Sequence, residues 1–565
     1  MYGVVLWRAP HIHFLHSHRK KYTLMAFASM KGRRAAGILA GTAAFALVLT
    51  GCATEEGGGE SGDGAILVGT TEQVTALDPA GSYDNGSFGV QNQVFPFLMN
   101  TPLGSPDVEP DIAESAEFTA PTEYTVVLKE GLKFANGNDL TASDVKFTFD
   151  RQLAIADDNG PSSLLYNLES TEAVDETTVV FHLKAENDQI FPQILSSPAG
   201  PIVDEEVFSA DSLTPDDEIV EGNAFAGQYS ITSYDFNKTI EFTPNPEYKG
   251  LLGEAKNSSV ILSYYTDSSN LKLNIQEGDI DVAFRSLSAT DVEDLRGNDS
   301  VKVVDGPGGE IQYIVFNFDT MPFGAKTPEA DPAKALAVRQ ATADLVDRQE
   351  IATQVFKETY TPLYSYVPDG LTGATESLKG LYGDGEGGPD AEKAAATLAA
   401  AGITTPVELS LQYVAERYGP SWGDAYALVK DQLESSGLFT VNIQPTEWVQ
   451  YSKDRTADVY PSYQLGWFPD YSDADNYLTP FFLTENFLSN HYDNAEVNDM
   501  ILEQASTVDP AARQALIEEI QDKVAADLST VPLLQGAQLA VTGSTVEGLT
   551  LDASFKVRFA GLTKG

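Results

Sequence analysis

Between Val407 and Gln444 the chain reads strand, helix, strand, and no other stretch restricts the fold as much. "VELSLQYV" (Val407–Val414) leads through "AERYGP" into a helix expected over Ser421–Ser436. Gly437 stops that helix, and "FTVNIQ" (Phe439–Gln444) follows as a second strand. Strands joined by a helical crossover run parallel, so this region predicts an α/β lobe. In open α/β sheets, ligands bind beyond the carboxyl ends of the strands. Two charged residues take such positions: Arg417 after Val407–Val414, and Asp470 after "SYQLGWF" (Ser462–Phe468). The plain alternatives are a surface ion pair with Glu416 or Asp424 for Arg417, and a solvated turn acid for Asp470.

From about Ile66 to Asp319 the pattern is mostly strand. "YTVVLKEGLKF" (Tyr124–Phe134), "TTVVFHLK" (Thr177–Lys184), "SVILSYY" (Ser259–Tyr265) and "IQYIVFNF" (Ile311–Phe318) are short runs rich in β-branched and aromatic residues. His182 lies inside one of them and reads as structural rather than as a ligand. After Asp319 helices dominate. Asp331 and Asp509 are expected N-caps, followed by Pro332 and Pro510 at the first helical position, where a missing N–H costs nothing. Ile517, Ile520, Val524 and Leu528 then share one helix face. A chain of this length calls for at least two lobes, since single cores stop growing near 250–300 residues.

The one cysteine stands in "ALVLTGCATEEGGGESGDG". Lys31, Arg33 and Arg34 precede an apolar small-residue run from Ala35 to Thr50, the order of a secretory signal. That run is shorter than the roughly 20 residues a spanning helix needs. "LTGC" resembles the lipobox of bacterial lipoproteins, in which a peptidase cuts before the cysteine and its sulfur receives a diacylglycerol. Cys52 is therefore the expected lipidation site, with residues 1–51 as signal peptide and 52–64 as a flexible acidic tether. The first 24 residues hold four of the six histidines. We take Met25 or Met30 as the true start, and expect no metal site in a stretch that precedes the cut.

All 83 acidic residues follow Gly51, against 35 basic residues in the whole chain. Such a surface repels nucleic acid and anionic lipid, so neither is an expected partner, and lipid on Cys52 would be the membrane attachment. With the single thiol acylated, no disulfide framework remains. Glycine-rich phosphate loops, HExxH and GxSxG are absent from the sequence, and beyond Cys52 only His182 and His491 could serve a nucleophile. We expect no enzyme, no cofactor and no metal.

Several blocks, in order and spacing, resemble the extracytoplasmic solute-binding proteins of family 5, the dipeptide, oligopeptide and nickel receptors of ABC importers. They are "LDPA" (Leu77–Ala80), "AESAEFTAPTEYTVVLKEGLKFANGNDLTASDVKFTFDR" (Ala113–Arg151), "GPIVDEEVF" (Gly200–Phe208), "TPNPEYKG" (Thr243–Gly250), "IQEGDIDVA" (Ile275–Ala283), "AVRQATADLVDRQEI" (Ala337–Ile351) and "GWFPDYSDADNY" (Gly466–Tyr477). The family's "GTGPY" segment reads "AFAGQY" (Ala224–Tyr229), and its usual Trp before the signature strand is Phe118.

The resemblance implies an α/β clamshell of the type II periplasmic-binding-protein kind. Lobe I would span 65–311 with a subdomain near 90–185, lobe II 312–532, and residues 533–565 would return to lobe I, with hinge crossings near Ile311 and Val531. It implies a monomer that closes on a short peptide and docks on the transmembrane subunits of an ABC permease. In peptide-binding members an aspartate at the position of Asp470 holds the α-ammonium, and in dipeptide-binding members an arginine, here Arg417, holds the carboxylate. Trp467 and Tyr471 would wall the site beside Asp470. Oligosaccharide, nickel-chelate or opine cargo remains open within the same fold. A secreted hydrolase, or a peptide receptor without transport, are the readings outside it.

Overall fold

The strand–helix–strand unit forms where the pattern puts it. Val407–Val414 and Phe439–Thr446 are parallel, in register from Val407↔Phe439 to Val414↔Thr446. Helix Trp422–Ser435 crosses between them and buries Trp422, Ala425, Tyr426, Val429 and Leu433, one stripe at helical spacing. Gly437 leaves the helix at φ 69°, a left-handed conformation that costs glycine little. The structure is a computed structural model describing residues 64–565, apart from 285, 286, 415, 416, 420, 552 and 555. The expectations for the signal peptide, for Cys52 and for the tether up to residue 63 lie outside the described residues.

This unit belongs to a six-stranded sheet ordered Tyr360–Pro362, Thr530–Gly536, Ile311–Phe316, Ser462–Trp467, Val407–Val414, Phe439–Thr446. Every residue of Ile311–Phe316 and of Thr530–Gly536 is buried, as expected for strands covered by helices on both faces. Those helices start as the sequence predicts. Asp331 accepts from the backbone N–H groups of Ala333 and Lys334, and Asp509 from that of Ala512. Ile517, Ile520 and Val524 are buried in the same core.

A seven-stranded sheet forms the other lobe, ordered Val301–Gly306, Gln538–Gly543, Val282–Phe284, Ile66–Thr70, Val260–Tyr264, Thr239–Pro244, Tyr229–Asp235. A third, antiparallel sheet of four strands (Ala113–Ala120, Glu123–Leu128, Thr178–Leu183, Leu168–Ala173) has its own core. Glu123–Leu128 and Thr178–Leu183 alternate partly exposed and buried positions, so one face packs inward, with helix Ala142–Ile155 over it. His182 is on the other face, its ring nitrogens 3.2 Å from Glu172 and 3.9 Å from Glu123.

The chain crosses between the two large sheets at two places, Pro307–Glu310 and Ala537. The second crossing lies beyond the Val531 expected. The apolar run "VPLL" pairs along Ile311–Phe316 and holds its strand in the six-stranded sheet to Gly536. The two crossings touch: Gln535 Nε2 donates to the Gly308 carbonyl at 2.7 Å, and Gly536 N–H to that of Glu310 at 2.9 Å. Gly308 has to be glycine, because a Cβ there would lie 1.7 Å from the Gly536 oxygen. After the return, Val557, Phe559 and Leu562 join the core of the seven-stranded lobe.

Candidate functional site

Strand Ser462–Trp467 is buried up to Gly466 and delivers Asp470 three residues beyond its carboxyl end. Asn476 organises the turn. Its Oδ1 accepts from the Asp470 backbone N–H and from Trp467 Nε1, each at 2.9 Å. Its Nδ2 reaches Asp470 Oδ2 at 3.4 Å. From the opposite lobe the Tyr83 hydroxyl donates to Asp470 Oδ1. Burial pushes the Asp470 carboxyl above its ordinary value, and the donated bonds from Tyr83 and Asn476 offset part of that rise. Trp467 is held edge-on by Phe481 and Phe487, with ring centroids 5.1 and 5.6 Å away. Tyr471 donates to Asp475 at 3.2 Å and packs against the core of the four-stranded sheet, so it spans the gap between the lobes.

Arg417 follows the neighbouring parallel strand. Tyr418 ties this loop to the end of the Asp470 strand, donating to the Gly466 carbonyl at 3.3 Å and accepting from the Gly466 N–H at 3.1 Å. The Arg417 side chain is exposed, and its guanidinium lies 4.2 Å from the Trp448 ring centroid, in cation–π range.

All four residues named from sequence line one cavity of about 450 Å³: Arg417, Trp467, Asp470 and Tyr471. The seven-stranded lobe adds Tyr83, Asn85 and Phe88, and Trp448 completes the aromatic wall. Ser196 and Lys556 also line it, with Lys556 Nζ 2.6 Å from Ser196 Oγ and 3.1 Å from Asn100 Oδ1. Sequence reasoning missed Tyr83, Trp448 and Lys556. Tyr83 carried a signal, because it stands three residues after "LDPA". So did Trp448, which stands just past the carboxyl end of strand Phe439–Thr446, whereas Lys556 reaches the cavity only through long-range packing. Away from the cavity, Asp319, Asp458 and His491 bring ligand-type atoms within 4.8 Å of one another, but Lys326 Nζ sits 2.7 Å from Asp319 and already supplies a cation there.

Residues 107–489 match the family model described as bacterial extracellular solute-binding proteins, family 5, middle region. The chain belongs to that family. This solute-binding protein is similar to the probable D,D-dipeptide-binding periplasmic protein DdpA of Escherichia coli K12, 24% identical over 500 residues, covering 86% of this chain and 91% of that one. Its fold is similar to that of the periplasmic binding protein DppA of Helicobacter pylori in complex with peptide STSA, with a TM-score of 0.67 at 18% identity, covering 89% and 98% of the two chains. It is also similar to the dipeptide-binding protein of Pseudoalteromonas sp. SM9913 in complex with Met-Leu, with a TM-score of 0.66 at 19% identity, covering 89% and 100%. The two-lobed α/β architecture expected from sequence is thus that of its family. Among the described residues no helix is long and apolar enough to cross a membrane.

Proposed function

We propose that this solute-binding protein captures short peptides between its lobes and hands them to an ABC permease. The observation that carries this reading is the pairing of opposite charges in one aromatic-walled cavity, Asp470 on one loop and Arg417 on the next. The volume, about 450 Å³, lies in the usual range for small-ligand sites. Asp470 would take the α-ammonium, a role suited to a carboxylate that already draws a hydroxyl donor from across the cleft. Arg417 would take the carboxylate, its plane held by Trp448. Trp467 and Tyr471 would form the walls. The peptide cargo named for the relatives in E. coli, H. pylori and Pseudoalteromonas supports the same class here. Closure about Pro307–Glu310 and Ala537 would exclude water and strengthen both charge contacts. The receptor would act as a monomer, held at the outer face of the membrane by lipid on Cys52.

Thermal-shift screening against short peptides, oligosaccharides and nickel chelates tests the reading, because a ligand that binds only the native state raises the melting temperature. Stabilisation by peptides supports it. Stabilisation by sugars or nickel chelates alone overturns it.

A further inference from the structure

A second chamber of about 220 Å³ lies at the hinge. Glu310 from one crossing and Gly536, Ala537 and Gln538 from the other line it. Asn85 and Phe468 line both this chamber and the ligand cavity, so the two spaces share one residue from each lobe as a common wall.

Gln538 distinguishes the chamber from packing space. Its side chain is 2% exposed, and neither Nε2 nor Oε1 has a hydrogen-bond partner among the described residues. Its backbone sits in the sheet opposite Gly306, which leaves the side-chain amide for another task. Native proteins rarely bury a polar group without a partner, and a ligand or an ordered water in the adjoining chamber would supply one. The volume is several times the roughly 30 Å³ share of one water. The neighbouring Glu310 is already engaged: it accepts from Tyr360 at 2.8 Å and from Gln312 at 2.9 Å.

We infer that the hinge chamber is a second ligand subsite, which receives an amide group and pairs with it through both ends of the Gln538 side chain. This rests on the peptide cargo proposed above. A carboxamide offers one donor and one acceptor side by side, and another carboxamide answers both in a single planar pair. That amide is an Asn or Gln side chain of the ligand, because the N–H and C=O of a trans main-chain amide point in opposite directions.

Calorimetry with the full mature chain tests the assignment using Ala-Ala, Ala-Gln and Ala-Met. Wild type should favour Ala-Gln over Ala-Met by about fivefold or more. Gln538→Met fills similar space without a polar group. It should erase that preference while changing the Kd of Ala-Ala by less than about twofold. Should the methionine variant fold poorly, Gln538→Glu keeps the shape and the acceptor, loses the donor, and gives the same comparison. If wild type binds Ala-Ala but does not prefer Ala-Gln over Ala-Met, or if the preference survives in the variants, the chamber holds solvent only and the inference is wrong. If wild type binds none of the three, the peptide reading itself has failed and the subsite falls with it.

Discussion

The Tyr83 hydroxyl donates to the Asp470 carboxylate across the cleft, joining residues 387 positions apart and belonging to different lobes. Tyr83 follows the turn Pro79–Gly81 of the seven-stranded lobe, and Asp470 follows a central strand of the six-stranded one. An arriving ammonium would meet a carboxylate already oriented and already partly stripped of water. Asp470→Asn keeps the shape and removes the charge. It should weaken peptides with a free amine at least tenfold, about 1.4 kcal/mol, while N-acetylated peptides bind wild type poorly and the mutant only slightly worse. Because burial raises the carboxyl pKa, acidification should weaken binding before ordinary carboxylates titrate, and the asparagine variant should lack that dependence. Calorimetry of one free and acetylated pair against pH checks both; equal binding of the pair by wild type sinks the role.

Arg417 stacks on Trp448 at 4.2 Å with its side chain exposed. Arg417→Ala should cost short peptides about 1.5–3 kcal/mol, the range for hydrogen bonds to a charged group. Arg417→Lys should recover only part, since an ammonium lacks the planar fork and the stack. C-terminally amidated peptides should bind wild type about as weakly as free peptides bind the alanine variant. Insensitivity to amidation would show that no carboxylate sits at Arg417.

Asp78 of "LDPA" and Arg151, which closes the longest signature block, form a two-pronged pair at 2.9 and 2.8 Å, with both side chains almost fully buried. Asp78 also accepts from the backbone N–H groups of Ala80 and Thr214, and Arg151 donates to the carbonyls of Ser209 and Ser212. Removing one partner strands the other charge in the interior, so Asp78→Ala should lower unfolding stability by about 3–5 kcal/mol. Urea titration measures this, and a loss within the error of wild type would show that the pair is dispensable.

Asp144, Asp204 and Glu206 gather their carboxyl oxygens within 4.8 Å of one another. Burial lifts Asp144 to about 6, and a hydrogen bond shared with Asp204 lifts Glu206 to about 7. Folded-state values above the unfolded ones mean that the native state holds protons the unfolded chain has released, so stability falls as pH rises from about 4 to 7. Glu206→Gln keeps the hydrogen bond without the titration. Its melting temperature should exceed that of wild type near pH 8 and converge with it near pH 5. Parallel curves for the two proteins would rule this cluster out as a source of pH dependence.

If "LTGC" ends the signal, Cys52→Ser should stall processing or release the protein from the membrane. Mass spectrometry of the mature N-terminus checks it. A stable membrane-bound form still carrying residues 1–51 would exclude lipidation.

The sequence by itself determined what depends on near neighbours. The strand–helix–strand unit at Val407–Thr446, the caps at Asp331 and Asp509, and the buried stripe from Ile517 to Val524 all follow from spacings of two to four residues or from one cap and its first turn. The loops carrying Arg417 and Asp470 were legible for the same reason, since each simply follows a recognisable strand. Only the tertiary structure decided which distant groups meet. It brings Tyr83 to Asp470, places Trp448 beneath Arg417, seats Asp78 on Arg151, moves the second crossing to Ala537, and leaves the Gln538 amide facing no described partner. Those outcomes depend on how two lobes, made from interleaved segments of the chain, pack against each other. Local periodicity carries no record of that packing, because a side chain's burial and partners are set by whatever the fold brings against it.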